Sequence, residues 1–195
     1  MKIIGITGGV GAGKSQVLSY ISENYNAKVL LADEVAHLLE EPGHDCYDKL
    51  VKLLGKDILQ ADLFIDKKKM ADKIFNDKSL LLEVNKIVHP AVKKYIVEKI
   101  EEEKKKNELD FFFIEAALLI EEHYDLIVDE MWYIYAEEKV RAERLRQNRN
   151  YSDEKIQAIF RGQLSETEFR NHCKVVINNN GDINETCREI DNNLV

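Results

Sequence analysis

Residues 8–15 read GGVGAGKS and follow directly on the apolar run Ile3–Ile6. Gly8, Gly13, Lys14 and Ser15 fill the fixed positions of G-x-x-x-x-G-K-[ST], a loop whose backbone N–H groups wrap a phosphate chain. Glycine loses more conformational freedom on folding than any other residue, so a cluster of them calls for a close backbone approach. Gly9, Val10, Gly11, Ala12, Gly13, Lys14 and Ser15 are therefore the candidate triphosphate cradle, with the positive end of the following helix dipole behind it. Lys14 is expected to reach the β- and γ-phosphates of a nucleoside triphosphate, and the Ser15 hydroxyl to bind Mg2+. The plainer alternative is a glycine-rich turn between a strand and a helix.

Two carboxylates and a group of arginines could complete the chemistry. Asp33 lies just past the apolar run Lys28–Leu31, where ligands bind in open α/β sheets. It could orient an acceptor hydroxyl and take its proton, or it could simply cap the next helix. Glu115 follows the run Phe111–Ile114, at the position of an acid that holds Mg2+ through water or contacts the acceptor. The competing reading is a solvent-facing acid at a strand end. The first 140 residues contain no arginine, and Arg141, Arg144, Arg146, Arg149 and Arg161 then crowd a short stretch. Arginine offers a planar fork of donors suited to phosphate, where lysine is a point charge. Arg144 and Arg149 are the candidates to neutralise charge on a transferring phosphoryl group.

The elements that must position these residues alternate. Strands are expected at Lys2–Thr7, Lys28–Leu31, Phe111–Ile114, Met131–Tyr135 and Lys174–Ile177, with Trp132 in the core. Helices are expected at Gln16–Glu23, Val35–Glu41, Cys46–Leu54, Lys67–Phe75 behind an Asp66 cap, and Ser79–Val88. His89-Pro90 is expected to break the pattern, because a residue before proline is pushed out of helical geometry. A new helix then runs from Pro90 to Lys106, ending in a solvated EEEKKK tail. Helices at Glu137–Asn148, after Ser152 and after Asp182 complete the chain. Strands alternating with helices mean an α/β parallel sheet, and the stretch between the second and third strands is too long for a simple crossover.

Composition narrows the class. The chain of 195 residues carries a net charge of −8, which argues against a general nucleic-acid binder. No apolar run approaches the length needed to cross a bilayer, and the first residues show no cleavable leader pattern. Cys46, Cys173 and Cys187 have no paired spacing, so reduced thiols and a cytoplasmic location are expected. The nearest match to the guanine motif N-K-x-D, Asn85-Lys86-Ile87-Val88, lacks the aspartate. A small kinase acting on a small molecule is the reading that remains, expected as a monomer or weak homo-oligomer. A non-catalytic nucleotide-binding protein is the rival from another class.

Further segments bear a family resemblance. IGITGGVGAGKS at Ile4–Ser15, Leu31-Ala32-Asp33, Val88-His89-Pro90, EAALLIE at Glu115–Glu121, Arg141–Arg149 with Gln163, and VINNNG at Val176–Gly181 together resemble the dephospho-CoA kinase family nearly end to end. Two positions depart from it. Leu31 stands where the family has the first aspartate of Asp-Ala-Asp, and Ala117 where it has a proline. The resemblance implies a P-loop NTPase core of the nucleoside-monophosphate-kinase type, with a helical acceptor-binding insertion and a helical lid. It divides the chain into a core (1–33, 107–140 and 171–195), an acceptor region (34–106) and a lid (141–170). It implies phosphorylation by ATP of the ribose 3′-hydroxyl of dephospho-coenzyme A, with Asp33, Lys14 and Arg144 catalytic. Asp33, His89, Glu115 and Leu118 fall on the acceptor side, His89 shaping it by hydrogen bonding. Arg144, Arg149, Asn179 and Gly181 fall on the ATP side. Nucleoside, nucleoside monophosphate and shikimate kinases are the alternatives within the same chemistry.

Overall fold

The computed structural model describes every residue except Asn76 and Val195. Five strands form one sheet in the order β2-β3-β1-β4-β5: β1 Lys2–Thr7, β2 Ala27–Leu31, β3 Phe111–Glu115, β4 Glu130–Tyr135 and β5 Val175–Asn178. β1 pairs in parallel with β3 and β4, and β4 with β5. Near-continuous apolar strands suit such a sheet, because helices cover both faces. Ile4, Ile6, Phe112, Phe113, Ile114, Trp132 and Ile134 are fully buried.

The chain makes two compact units, one of Met1–Leu30 with Glu103–Val195 and one of Leu31–Glu102. In the first, α1 (Lys14–Asn24) follows β1. There too lie α6 (Glu138–Arg149), α7 (Asp153–Arg161), α8 (Glu166–His172) and α9 (Ile183–Leu194). Ser152 caps α7 as expected, and Asp182 accepts from the Asn184 N–H at the start of α9. The separate helix α8 was not expected. It is held at its start by a capping box between Ser165 and Glu168.

The second unit holds α2 (Ala32–Leu39), α3 (Asp45–Leu54), α4 (Lys67–Phe75) and most of α5 (Lys78–Lys106). The expected break at His89-Pro90 is absent: α5 is one helix of 29 residues with Pro90 inside it. Val84, Val88, Val92, Ile96 and Ile100 are all buried at four-residue spacing, a single apolar stripe that runs past the proline. Burying each such side chain is worth about 1.5–3 kcal/mol, so the stripe outweighs the roughly 3 kcal/mol that an internal proline costs. The EEEKKK tail also differs from expectation. Glu103 is buried and takes Lys28 at 2.7 Å and Lys106 at 3.0 Å, and its hydrogen bond from Lys28 holds its carboxyl below the usual range. Among the described residues no helix is long and apolar enough to cross a membrane.

Candidate active site

β1 ends at Thr7 and α1 begins at Lys14, so residues 8–13 form the turn between them. Gly13 takes φ 88°, in the left-handed region, and a Cβ there would run into the side-chain amide of Asn179. At Gly9 a Cβ would strike the Arg141 guanidinium. α1 has neither a side-chain cap nor an acidic residue in its first turn, so no carboxylate of its own competes for the positive helix start.

Lys14 and Glu115 meet at this turn. The Lys14 Nζ donates to the Gly8 carbonyl at 2.9 Å and lies 3.3 Å from Glu115 Oε1. Both side chains are 16% exposed, enough shielding to strengthen the pair beyond a surface one. The register of the sheet explains the meeting: Glu115 ends β3 opposite Ile6 of β1, one residue before Thr7. Glu115 is thus not a plain solvent-facing acid.

The other wall is built from α6 and the end of β5. Asn179 is buried and its N–H extends the sheet to the Tyr135 carbonyl at 2.8 Å. Its Nδ2 donates to the Ala12 carbonyl at 2.8 Å, and its Oδ1 accepts from Thr186 Oγ1 at 3.0 Å. Arg144 reaches the same two backbones, with Nη2 donating to the Asn179 carbonyl at 2.8 Å and Nη1 to the Ala12 carbonyl at 3.3 Å. One turn earlier, Arg141 Nε donates to the Val10 carbonyl at 3.0 Å, Nη2 donates to Gln163 Oε1, and the guanidinium lies 4.4 Å over the Phe160 ring. Burial pulls the pKa of Arg141 below its ordinary value, but a guanidinium remains charged. The Val10 side chain packs against Ala142, Leu145 and Ile156.

The structure thus gathers Lys14, Glu115, Arg144 and Asn179 around Gly8–Gly13. Ser15 is exposed as the second residue of α1. Arg149 is exposed at the far end of α6, where its bond to Tyr151 lowers that phenol's pKa, and it is not brought to the loop with Arg144. Gly181 is exposed, and Leu118 is exposed in the turn after β3. In the second unit, Asp33 is exposed within the first turn of α2, whose cap position is Leu31 and carries no side-chain bond. Asp33 is therefore not the helix cap. His89 is half-buried inside α5, not at a junction of two helices. Sequence reasoning did not single out Arg141, Gln163 or Ala12 as the points where the loop is fastened, although the crowd of arginines pointed at the right helix.

Residues 2–185 match the family model described as dephospho-CoA kinase. The chain belongs to the dephospho-CoA kinase family. A dephospho-CoA kinase of Oceanobacillus iheyensis is 33% identical over 98% of this chain and 96% of its own. One from Aquifex aeolicus is 37% identical over 97% of this chain and 94% of its own. A crystal structure of a Thermus thermophilus protein superposes with TM-score 0.81 at 27% identity, covering 99% of this chain and 96% of that one. For a dephospho-CoA kinase, the fastened loop with Lys14 at its end supplies the P-loop NTPase feature of the fold.

Proposed function

We propose that the chain transfers the γ-phosphoryl group of ATP to the ribose 3′-hydroxyl of dephospho-coenzyme A, giving coenzyme A and ADP. ATP-dependent phosphorylation of dephospho-CoA is the activity of the family to which it belongs. The observation that carries the residue roles is the convergence on Gly8–Gly13 of Lys14 with Glu115 from one side and Arg144 with Asn179 from the other.

Residues 9–15 hold the triphosphate through backbone N–H groups and the start of α1. Lys14 neutralises the β- and γ-phosphates, and Arg144 stabilises charge that develops on the transferring group. Asp33 orients the 3′-hydroxyl and takes its proton as the 3′-oxygen bonds to the γ-phosphorus and the bond to the bridging oxygen of ADP breaks. Region 34–106, with His89, and Leu118 present the acceptor, and region 141–170 excludes water. Mg2+ keeps several waters and takes only one or two protein oxygens. Ser15, next in sequence to Lys14, and Glu115, paired with it, offer that donor set. When bound, the ion would neutralise charge on the β- and γ-oxygens. The protein acts in the cytoplasm as a monomer or weak homo-oligomer and needs no nucleic acid.

The test is ATP turnover with Mg2+, with and without dephospho-coenzyme A, beside AMP, adenosine, cytidine and shikimate. Strong stimulation by dephospho-coenzyme A alone, with a 3′-phosphorylated product, is the expected result. Stimulation by another acceptor would move the chain to a different small-molecule kinase activity, and ATP binding without any stimulation would leave a nucleotide-binding protein.

A further inference from the structure

We propose that Arg141 is a positioning residue for ATP, clamping the phosphate loop to the segment that joins α7 and α8. The inference rests on the assignment of Gly8–Ser15 as the ATP phosphate loop. Three contacts of one guanidinium make the clamp: Nε on the Val10 carbonyl, Nη2 on Gln163 Oε1, and the flat face on Phe160. Val10 belongs to the loop, Phe160 to the last turn of α7, and Gln163 to the link before α8. Arg141 is only 9% exposed, and these polar partners are a carbonyl and an amide oxygen, not a carboxylate. No carboxylate hydrogen-bonds the guanidinium, and Glu138 acts on it only through its charge, so burial of the guanidinium costs desolvation and calls for a reason beyond stability. The shape of the loop supplies one. Gly9 lies so close to the guanidinium that a Cβ there would displace it, and a Cβ at Gly11 would lie 2.9 Å from the Arg141 carbonyl. Arg141 thus holds one peptide of the loop, at the Val10 carbonyl, and lies against the loop at Gly9 and Gly11. Lysine could not replace it, since one ammonium cannot serve two acceptors in plane and stack on a ring as well.

The side chains of glutamine and methionine separate the contacts. Glutamine Nε2 sits as many bonds from Cα as arginine Nε, so Arg141→Gln keeps a donor for the Val10 carbonyl and drops the other two contacts. Arg141→Met keeps the bulk and no donor. Gln163→Met removes only the second partner. ADP affinity by calorimetry, KM for ATP and for dephospho-coenzyme A, kcat and Tm are measured for each. Arg141→Met should weaken ADP binding and raise KM for ATP about tenfold, the size of one lost charge-assisted hydrogen bond. KM for dephospho-coenzyme A should stay put. Arg141→Gln should recover only part of that loss, because the loop is then held at Val10 but no longer tied to Gln163 and Phe160, and Gln163→Met should weaken ADP binding on its own. The double variant Arg141→Met/Gln163→Met should be no worse than Arg141→Met alone, because both changes cut one chain of contacts. The proposal is overturned by unchanged ADP affinity in Arg141→Met, by equal loss for both substrates together with a fall in Tm, by full recovery of binding in Arg141→Gln, by unchanged ADP affinity in Gln163→Met, or by an additive double variant. Lys14→Ala tests the underlying assignment: if it binds ADP and turns over ATP normally, the loop is not the phosphate site. A Lys14→Ala loss with an inert Arg141→Met removes the clamp alone.

Discussion

Asn179 is the buried pin of the phosphate loop, and Gly13→Ala and Asn179→Ala test that role as a pair. Removing the Asn179 side chain breaks its bonds to the Ala12 carbonyl and to Thr186 Oγ1. Neither partner is orphaned, since Arg144 still reaches the Ala12 carbonyl and Thr186 still reaches the Asn178 carbonyl at 3.0 Å. Two ordinary buried bonds are worth about 2 kcal/mol together, which at this chain length lowers Tm by about 6 °C. Gly13→Ala adds a Cβ at φ 88°, costing about 1 kcal/mol for the left-handed conformation. It also displaces the same amide, costing about the same 2 kcal/mol of bonds. The single changes therefore cost about 2 and 3 kcal/mol, yet the double variant should cost about 3 and not 5, because the bonds can be lost only once. Urea unfolding of the four proteins measures this. Additivity to within about 0.5 kcal/mol would refute the contact between Gly13 and the Asn179 amide.

Four further outcomes are expected. Asp33→Asn should keep ATP binding and lose most turnover; near-normal kcat would remove Asp33 from the chemistry. Glu115→Gln, which uncharges the partner of Lys14, should shift the Mg2+ dependence of turnover to higher concentration, and an unmoved titration curve would remove its metal role. Pro90→Ala gives α5 back the N–H that proline lacks and should raise stability by about 1–3 kcal/mol; a lower Tm would mean that the apolar stripe does not carry α5 past the proline. Burial pushes the Cys173 thiol from its ordinary 9.0 up to about 12. A raised folded pKa lends stability that is full below the unfolded value and is lost as pH climbs toward the folded one. The stability of the wild type relative to Cys173→Ala should therefore shrink between pH 9 and pH 11 in chemical unfolding, and a constant difference would contradict it.

The sheet was legible because its strands are runs such as IIGI and FFFI that no amphipathic helix would carry. Pro90 is a poor guide by itself, because the local rule for a residue before proline leaves out the stripe from Val84 to Ile100, whose value shows only once its burial is known. The capping box at Ser165 and Glu168 was present in the sequence and marked α8, though a helix of seven residues has little periodicity to read. In the site, the Gly-Lys-Ser motif is a local pattern and was read directly. The bond from Asn179 to Ala12 spans 167 residues, a separation no local pattern encodes. The choice between Arg144 and Arg149 was open to geometry from the start. Five residues along a helix is about 140° around its axis, so the two could not face one loop, whereas Arg141 and Arg144 lie about 60° apart.

The order of the sheet also sets a timetable. β1 sits between β3 and β4, yet it is the first strand made and its neighbours begin only at Phe111 and Glu130. At ribosomal speeds of 5–20 residues per second, Ile3, Ile4 and Ile6 wait roughly 5–20 s for a partner. The contiguous stretch Leu31–Glu102 emerges in that interval and can close its own contacts first. A nascent chain cut short before residue 111 carries a sticky, unmatched strand at its leading end. Truncated products of this protein, more than the finished one, are the species that chaperones must shield.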